Sequence, residues 1–116
     1  ADVVARMALV PRTLEARGLD ATPQIQERLR AVGTPMALRA VDVLDIILRD
    51  EVGHVAIGNH WYRWLCERDG LDPVTTYAEL SVRHRAPQPR GPFNLDARRA
   101  AGFSDEEIAV LEAAGA

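Results

Sequence analysis

The sequence predicts an all-α fold, and three observations carry that prediction. Apolar residues recur at alternating steps of three and four through two long segments, the spacing of one helix face. No stretch alternates apolar and polar residues as a half-buried strand would. Helix-start signals stand where each new pattern begins: Thr34-Pro35, Asp72-Pro73, and Ser104 with Glu107 three residues on.

Residues 1 to about 32 carry the first seam, through Val4, Ala8, Pro11, Glu15, Gly18, Thr22, Ile25, Leu29 and Val32. This is one long helix or two nearly in line. Pro11 and Pro23 each remove a backbone donor and strain the preceding turn, so a kink or break is expected. Gly18 and Pro23 place it at residues 18–23, with Thr22 capping the second piece. The opening Ala1-Asp2-Val3-Val4 enters the helical pattern without an initiator Met, which leads us to expect the C-terminal part of a longer protein.

Gly33-Thr34-Pro35 is a short turn and a fresh start. The helix that follows, 35 to about 69, would be roughly 50 Å long at 1.5 Å per residue. A short connection between two long helices implies an antiparallel hairpin. Asp69-Gly70 ends the second helix, and Asp72-Pro73 opens a short one to about Arg83. His84 to Pro92, rich in Pro and Arg, is expected to be irregular. Asn94 to Ala101 reads as one short helix. Ser104 and Glu107 form a capping box for a last helix to about Ala113. The division is therefore a helical hairpin over 1–69 and a helical tail over 70–116 that packs on it.

The 116 residues suffice for one core. A net charge of −3 speaks against a general nucleic-acid binder. The single cysteine, Cys66, excludes an intrachain disulfide and a multi-cysteine zinc site. No signal peptide and no long apolar run is present, so no membrane partner is expected and the cytoplasm is the expected compartment. All 14 Lys and Arg positions are Arg, a feature of composition rather than mechanism.

One constellation stands out. Leu44, Ile47, Glu51, His54, Gly58, Trp61 and Leu65 step along one helix face, which should be buried. A carboxylate and an imidazole one turn apart on such a face cost several kcal/mol unless something offsets them. A shared metal ion does so, and this pairing suits iron, manganese or zinc. The alternative is a partly buried ion pair. Glu15, the one charge in the first seam, is a candidate third ligand. Ferritin-like carboxylate bundles take a Glu from each of two helices and a Glu-x-x-His from each of the other two. Glu15, Glu51 and His54 make half of that set, so the rest must come from a missing helix pair or from a second copy in a homodimer.

The remaining candidates read as ordinary structure. His60 is a boundary residue and His84 lies in the Arg/Pro loop. Trp61, Tyr62 and Trp64 are core and flank packing, with a redox role for Tyr62 as the sharper alternative. Arg83, Arg85, Arg90, Arg98 and Arg99 are solvated or paired with Asp105, Glu106 and Glu107; the sharper alternative is contact with an anionic ligand. Cys66 is a buried apolar position.

The stretches LEARGLDATPQIQERL (14–29), RDEVGHVAIGNHWYRWLC (49–66), GLDP (70–73) and RGPFNLDARRAAGF (90–103) together resemble the C-terminal half of a bacterial ferritin-like family of unknown function. That family is similar in fold to rubrerythrins and, remotely, to the diiron tRNA hydroxylase. The resemblance implies the second helix pair of a four-helix bundle, with Glu15 matching the third-helix glutamate and Glu51 and His54 the fourth-helix Glu-x-x-His. It implies two metal ions, iron first and manganese or zinc otherwise, in a site completed by another segment or chain. The implied activity is that of a diiron oxidoreductase or hydroxylase activating oxygen. Iron storage and a metal-free helical scaffold are the alternatives.

Overall fold

The computed structural model describes residues 2–115; Ala1 and Ala116, the outer ends of the two expected segments, lie outside the described residues. Every element is helical: α1 (Val3–Leu9), a π-helical stretch (Val10–Glu15), α2 (Ala16–Val32), α3 (Pro35–Arg68), α4 (Pro73–Arg83), α5 (Leu95–Ala100) and α6 (Asp105–Gly115). The fold is all-α, with no strand among the described residues. No described helix is long and apolar enough to cross a membrane.

Local chemistry sets most boundaries. Asp2 caps α1 by accepting from the Val4 and Ala5 amides. Gly33, at φ 73°, closes α2 in the left-handed region, and Thr34 accepts from the Ala37 amide to open α3. Two residues thus turn the chain back on itself. The 34 residues of α3 set the 52 Å long axis of the molecule. Asp72 opens α4 and the Ser104–Glu107 capping box opens α6, both at the expected positions.

The first helix differs from expectation. No break occurs at 18–23; α2 runs through Pro23, and the Thr22 hydroxyl donates to the Gly18 carbonyl. The irregularity is the wide turn at Val10–Glu15, where the Ala16 amide reaches back five residues to the Pro11 carbonyl. Pro11 has no amide to donate, and the Thr13 hydroxyl instead donates to the Ala8 carbonyl at 3.2 Å. The Pro11 ring lies directly on Gly58 of α3, where an added Cβ would overlap it. Val4 and Ala8 are buried as expected, but the buried seam runs from Ala5 and Ala8 through Arg12, Ala16, Leu19 and Gln26 at regular helical spacing, one position after the expected Pro11, Glu15, Gly18 and Ile25. Pro11 and Thr22 remain buried, while Glu15, Ile25 and Val32 are exposed.

The tail covers one side of the hairpin. Two apolar clusters form there: Val4, Ala5, Ala8, Tyr62, Leu65, Cys66 and Leu80 toward one end, and Ala16, Leu19, Val55 and Ala101 in the middle. The buried face of α3 accordingly runs through Val41, Val55, Asn59, Tyr62 and Cys66. The face expected to be buried is mostly open: Ile47, Trp61 and His54 are exposed, while Gly58 and Leu65 are covered. The reason is that α3 carries two apolar stripes, and the first helix and the tail together pack on the other one. Cys66 is buried as expected, but of the three aromatics only Tyr62 is core; Trp61 and Trp64 are each 48% exposed.

Candidate functional site

The open face of the hairpin has its own periodicity. Along α3, Val43, Ile47, Asp50, His54, Ile57, Trp61 and Trp64 step by four and three, and the large apolar members are all exposed. Trp61 and Trp64 meet edge to face at 5.8 Å. On the facing helix, Leu14, Gly18, Ala21 and Ile25 share one side, with Leu14 and Ile25 exposed. The two stripes adjoin at Gly18, where an added Cβ would stand 4.0 Å from Cγ of Glu51.

His54 lies in the middle of this face, and Glu51 at its edge toward Gly18 of the facing helix. The His54 Nδ1 is 3.8 Å from the Glu51 Oε2, and the side chains are 65% and 26% exposed respectively. The distance leaves room for an ion or a water between the two donors. Glu15 is exposed one turn ahead of Gly18. Among the described residues, no group of three or more His, Cys, Asp and Glu side chains lies close enough to hold a metal ion. The chain therefore presents a bidentate pair and a separate carboxylate on one helical hairpin.

The covered face holds a different polar set, which sequence reasoning missed. Arg12 is 2% exposed and enters from the wide turn. Its guanidinium meets the Glu107 carboxylate and donates from Nε to Asn59 Oδ1 at 2.6 Å. Asn59 in turn donates to the Ala101 carbonyl at 2.7 Å. Tyr62, Tyr77 and Phe103 stack around the guanidinium, with ring centroids at 4.4, 4.7 and 5.1 Å. Burial, partly offset by the tyrosines, lowers its pKa to about 10, so it remains charged at neutral pH. Glu107 also accepts from Arg63 at 2.5 Å, so one carboxylate serves two guanidiniums.

A second buried pair links the hairpin to the tail. Arg98 grips Asp20 through two hydrogen bonds, of 3.0 and 2.5 Å, and the Asn94 amide donates to the same carboxylate. Arg98 is thus paired inside the fold rather than with the acids of α6; Arg99 approaches Asp105 at 3.7 Å. The Tyr62 hydroxyl donates to the Pro73 carbonyl at 2.6 Å, within the tail-side core and not on the face that carries His54. His60 is exposed and stacks against Trp61, and His84 ends α4. The signal for Arg12 was present in the sequence: Ala5, Ala8, Arg12, Ala16 and Leu19 form a seam of small and apolar residues with one Arg inside it.

Comparison with known proteins adds a family. Residues 1–109 match the family described as "Protein of unknown function (DUF455)". The chain is 51% identical over 107 residues to an "Uncharacterized protein" of Haemophilus influenzae (strain KW20 / Rd), a match that covers 92% of this chain. The match spans 36% of that relative's length. No solved structure matches the chain.

Proposed function

The chain belongs to the DUF455 family of proteins of unknown function, and from that premise we propose that it supplies half of a ferritin-like dimetal carboxylate site. The observation that carries the reading is the placement of His54 in the middle of an exposed apolar stripe, with Glu51 one turn away at its edge. An apolar face of this length calls for a covering partner. A Glu-x-x-His at its centre is the half-set that carboxylate bundles contribute from one helix. The covering element would be a further helix pair, from a segment outside this chain or from a second copy.

In that assembly Glu51 and His54 would hold one ion, and Glu15 would bind or bridge from the facing helix. Iron fits the donor set first; manganese and zinc share it. When bound, iron supplies one-electron redox chemistry and open positions for a small oxidant, consistent with an oxidoreductase or hydroxylase. The chain's own residues do the rest. The Glu51 side chain lies against Gly18 where the helices adjoin. Ile47, Ile57 and Trp61 would exclude water once covered. The Glu51 carboxylate would offset metal charge and orient the His54 ring.

The test is anaerobic thermal unfolding of the full-length protein with and without ferrous iron. Ligand binding to the folded state raises the melting temperature by linkage. The expected result is a rise with iron that Glu51→Gln and His54→Ala each remove. A wild-type protein that shows no rise, with variants as stable as the parent or more so, would replace the metal reading with a metal-free scaffold.

A further inference from the structure

A cavity of about 390 Å³ lies on the tail side, between the wide turn of the first helix, α4, the 84–89 segment and α6. It is partly open to solvent. Val74, Val82, Val110 and Leu111 are among its apolar walls. Both the size and the apolar lining are those of a small-molecule site. Its charged lining is one-sided: Arg12, Arg17, Arg85 and Arg98 against the single carboxylate of Glu107.

That carboxylate is already shared between Arg12 and Arg63, and Arg98 is matched by Asp20 outside the cavity. Arg17 and Arg85 form no ion pair among the described residues. Nη1 of the buried Arg12 has no hydrogen-bond partner. The cavity thus carries positive charge that the fold does not neutralise.

Arg85 adds an independent observation. Helices α3, α4 and α5 end in the same closure, in which one amide bonds to the carbonyl five positions back and the preceding amide closes the inner turn. The pivotal residue is Gly70 in α3 and Gly102 in α5, at φ 67° and 92°. In α4 it is Arg85, at φ 51°. A residue with a Cβ is costly in this conformation, and such strain collects at functional positions. The closure sets an unpaired guanidinium on the cavity lining.

We propose that this cavity binds an amphipathic carboxylate, its apolar chain between α4 and α6 and its head group at Arg17 and Arg85. The planar guanidinium forks suit a carboxylate, and the apolar walls suit an alkyl or aromatic body. The site lies on the tail side, away from the Glu51/His54 face, and does not depend on a metal being bound there.

The test is calorimetric titration of the full-length protein with octanoate, beside 1-octanol (same body, no charge) and acetate (same charge, no body). Octanoate is expected to saturate one site, at least 10-fold more tightly than octanol, with no saturation by acetate. Arg17→Gln is expected to weaken octanoate about 10-fold. Arg85→Gly is expected to weaken it similarly while raising the melting temperature, because Gly suits the left-handed turn; a purely structural Arg85 would not separate the two readouts. Ala78→Trp, on the cavity wall, is expected to abolish binding, and Ile47→Gln, on the open face, to leave it unchanged. Failure of octanoate to saturate, octanol binding equal to octanoate, or loss of binding in Ile47→Gln would each overturn the proposal.

Discussion

The two long faces of the hairpin are both apolar and both periodic, yet they hold opposite kinds of polar group. On the tail-covered face, charged groups are deeply buried and matched: Arg12 with Glu107 and Asn59, and Arg98 with Asp20. On the open face, Glu51 and His54 stand 3.8 Å apart among half-exposed aliphatic and indole side chains. Buried charges persist only when paired, so the covered set is structural glue between hairpin and tail. The open pair has no such role in this chain. Its place beside an exposed apolar stripe is what makes it a candidate site.

Four perturbations sharpen that contrast. The largest is Arg12→Met, which leaves Glu107 and Asn59 without their shared partner; a loss of about 3–5 kcal/mol is expected in urea denaturation. A loss under 1 kcal/mol would mean the covered face does not depend on its ion pair. Gly58→Ala pushes a methyl into the Pro11 ring and should cost about 1–3 kcal/mol by the same measurement. An unchanged midpoint would show that the wide turn yields easily.

The third perturbation is pH. Burial raises the pKa of the Cys66 thiol and of the Tyr62 hydroxyl. Above about pH 8.5 the unfolded chain begins to release protons that the folded chain retains, so stability should be intact below that point and fall as pH rises. Urea midpoints between pH 7 and 9.5, below the range in which Arg12 loses its proton, check this, and Cys66→Ala should flatten the first part of the fall. A midpoint that rises with pH would reverse the sign and contradict the assigned burial. The smallest effect is expected from Ile47→Gln on the open face. Stability of this chain should change by no more than about 0.5 kcal/mol, while association with a covering helix pair should weaken. A large intrinsic loss would mean that this face is already covered.

Helix identity, the hairpin, the Thr34, Asp72 and Ser104 starts and the Gly33 and Gly70 stops were all legible, because each rests on local chemistry within a few residues. The phase of the first helix was not. Two regular counts run through Ala8, one on to Pro11, Glu15 and Gly18 and one from Ala5 to Arg12, Ala16 and Leu19, and burial follows the second. Pro11 signalled a disturbance but not its kind, which depends on contact with Gly58, 47 positions away. The choice of face on α3 was equally hidden, since periodicity marks both stripes and only packing against the first helix and the tail decides between them. Glu51 and His54 were singled out by their spacing on a face expected to be buried; they are neighbours, but His54 is exposed, because packing falls on the other stripe. The partnership of Arg12 with Glu107 was out of reach, because nothing local to either residue points to the other.

The most direct measurement is native mass spectrometry of the full-length protein purified without chelator, beside its His54→Ala variant. The account predicts about two metal ions per completed four-helix assembly, with metal lost in the variant and the assembly retained. An assembly that carries no metal and takes up no ferrous iron, or a variant that keeps its full metal content, would contradict it.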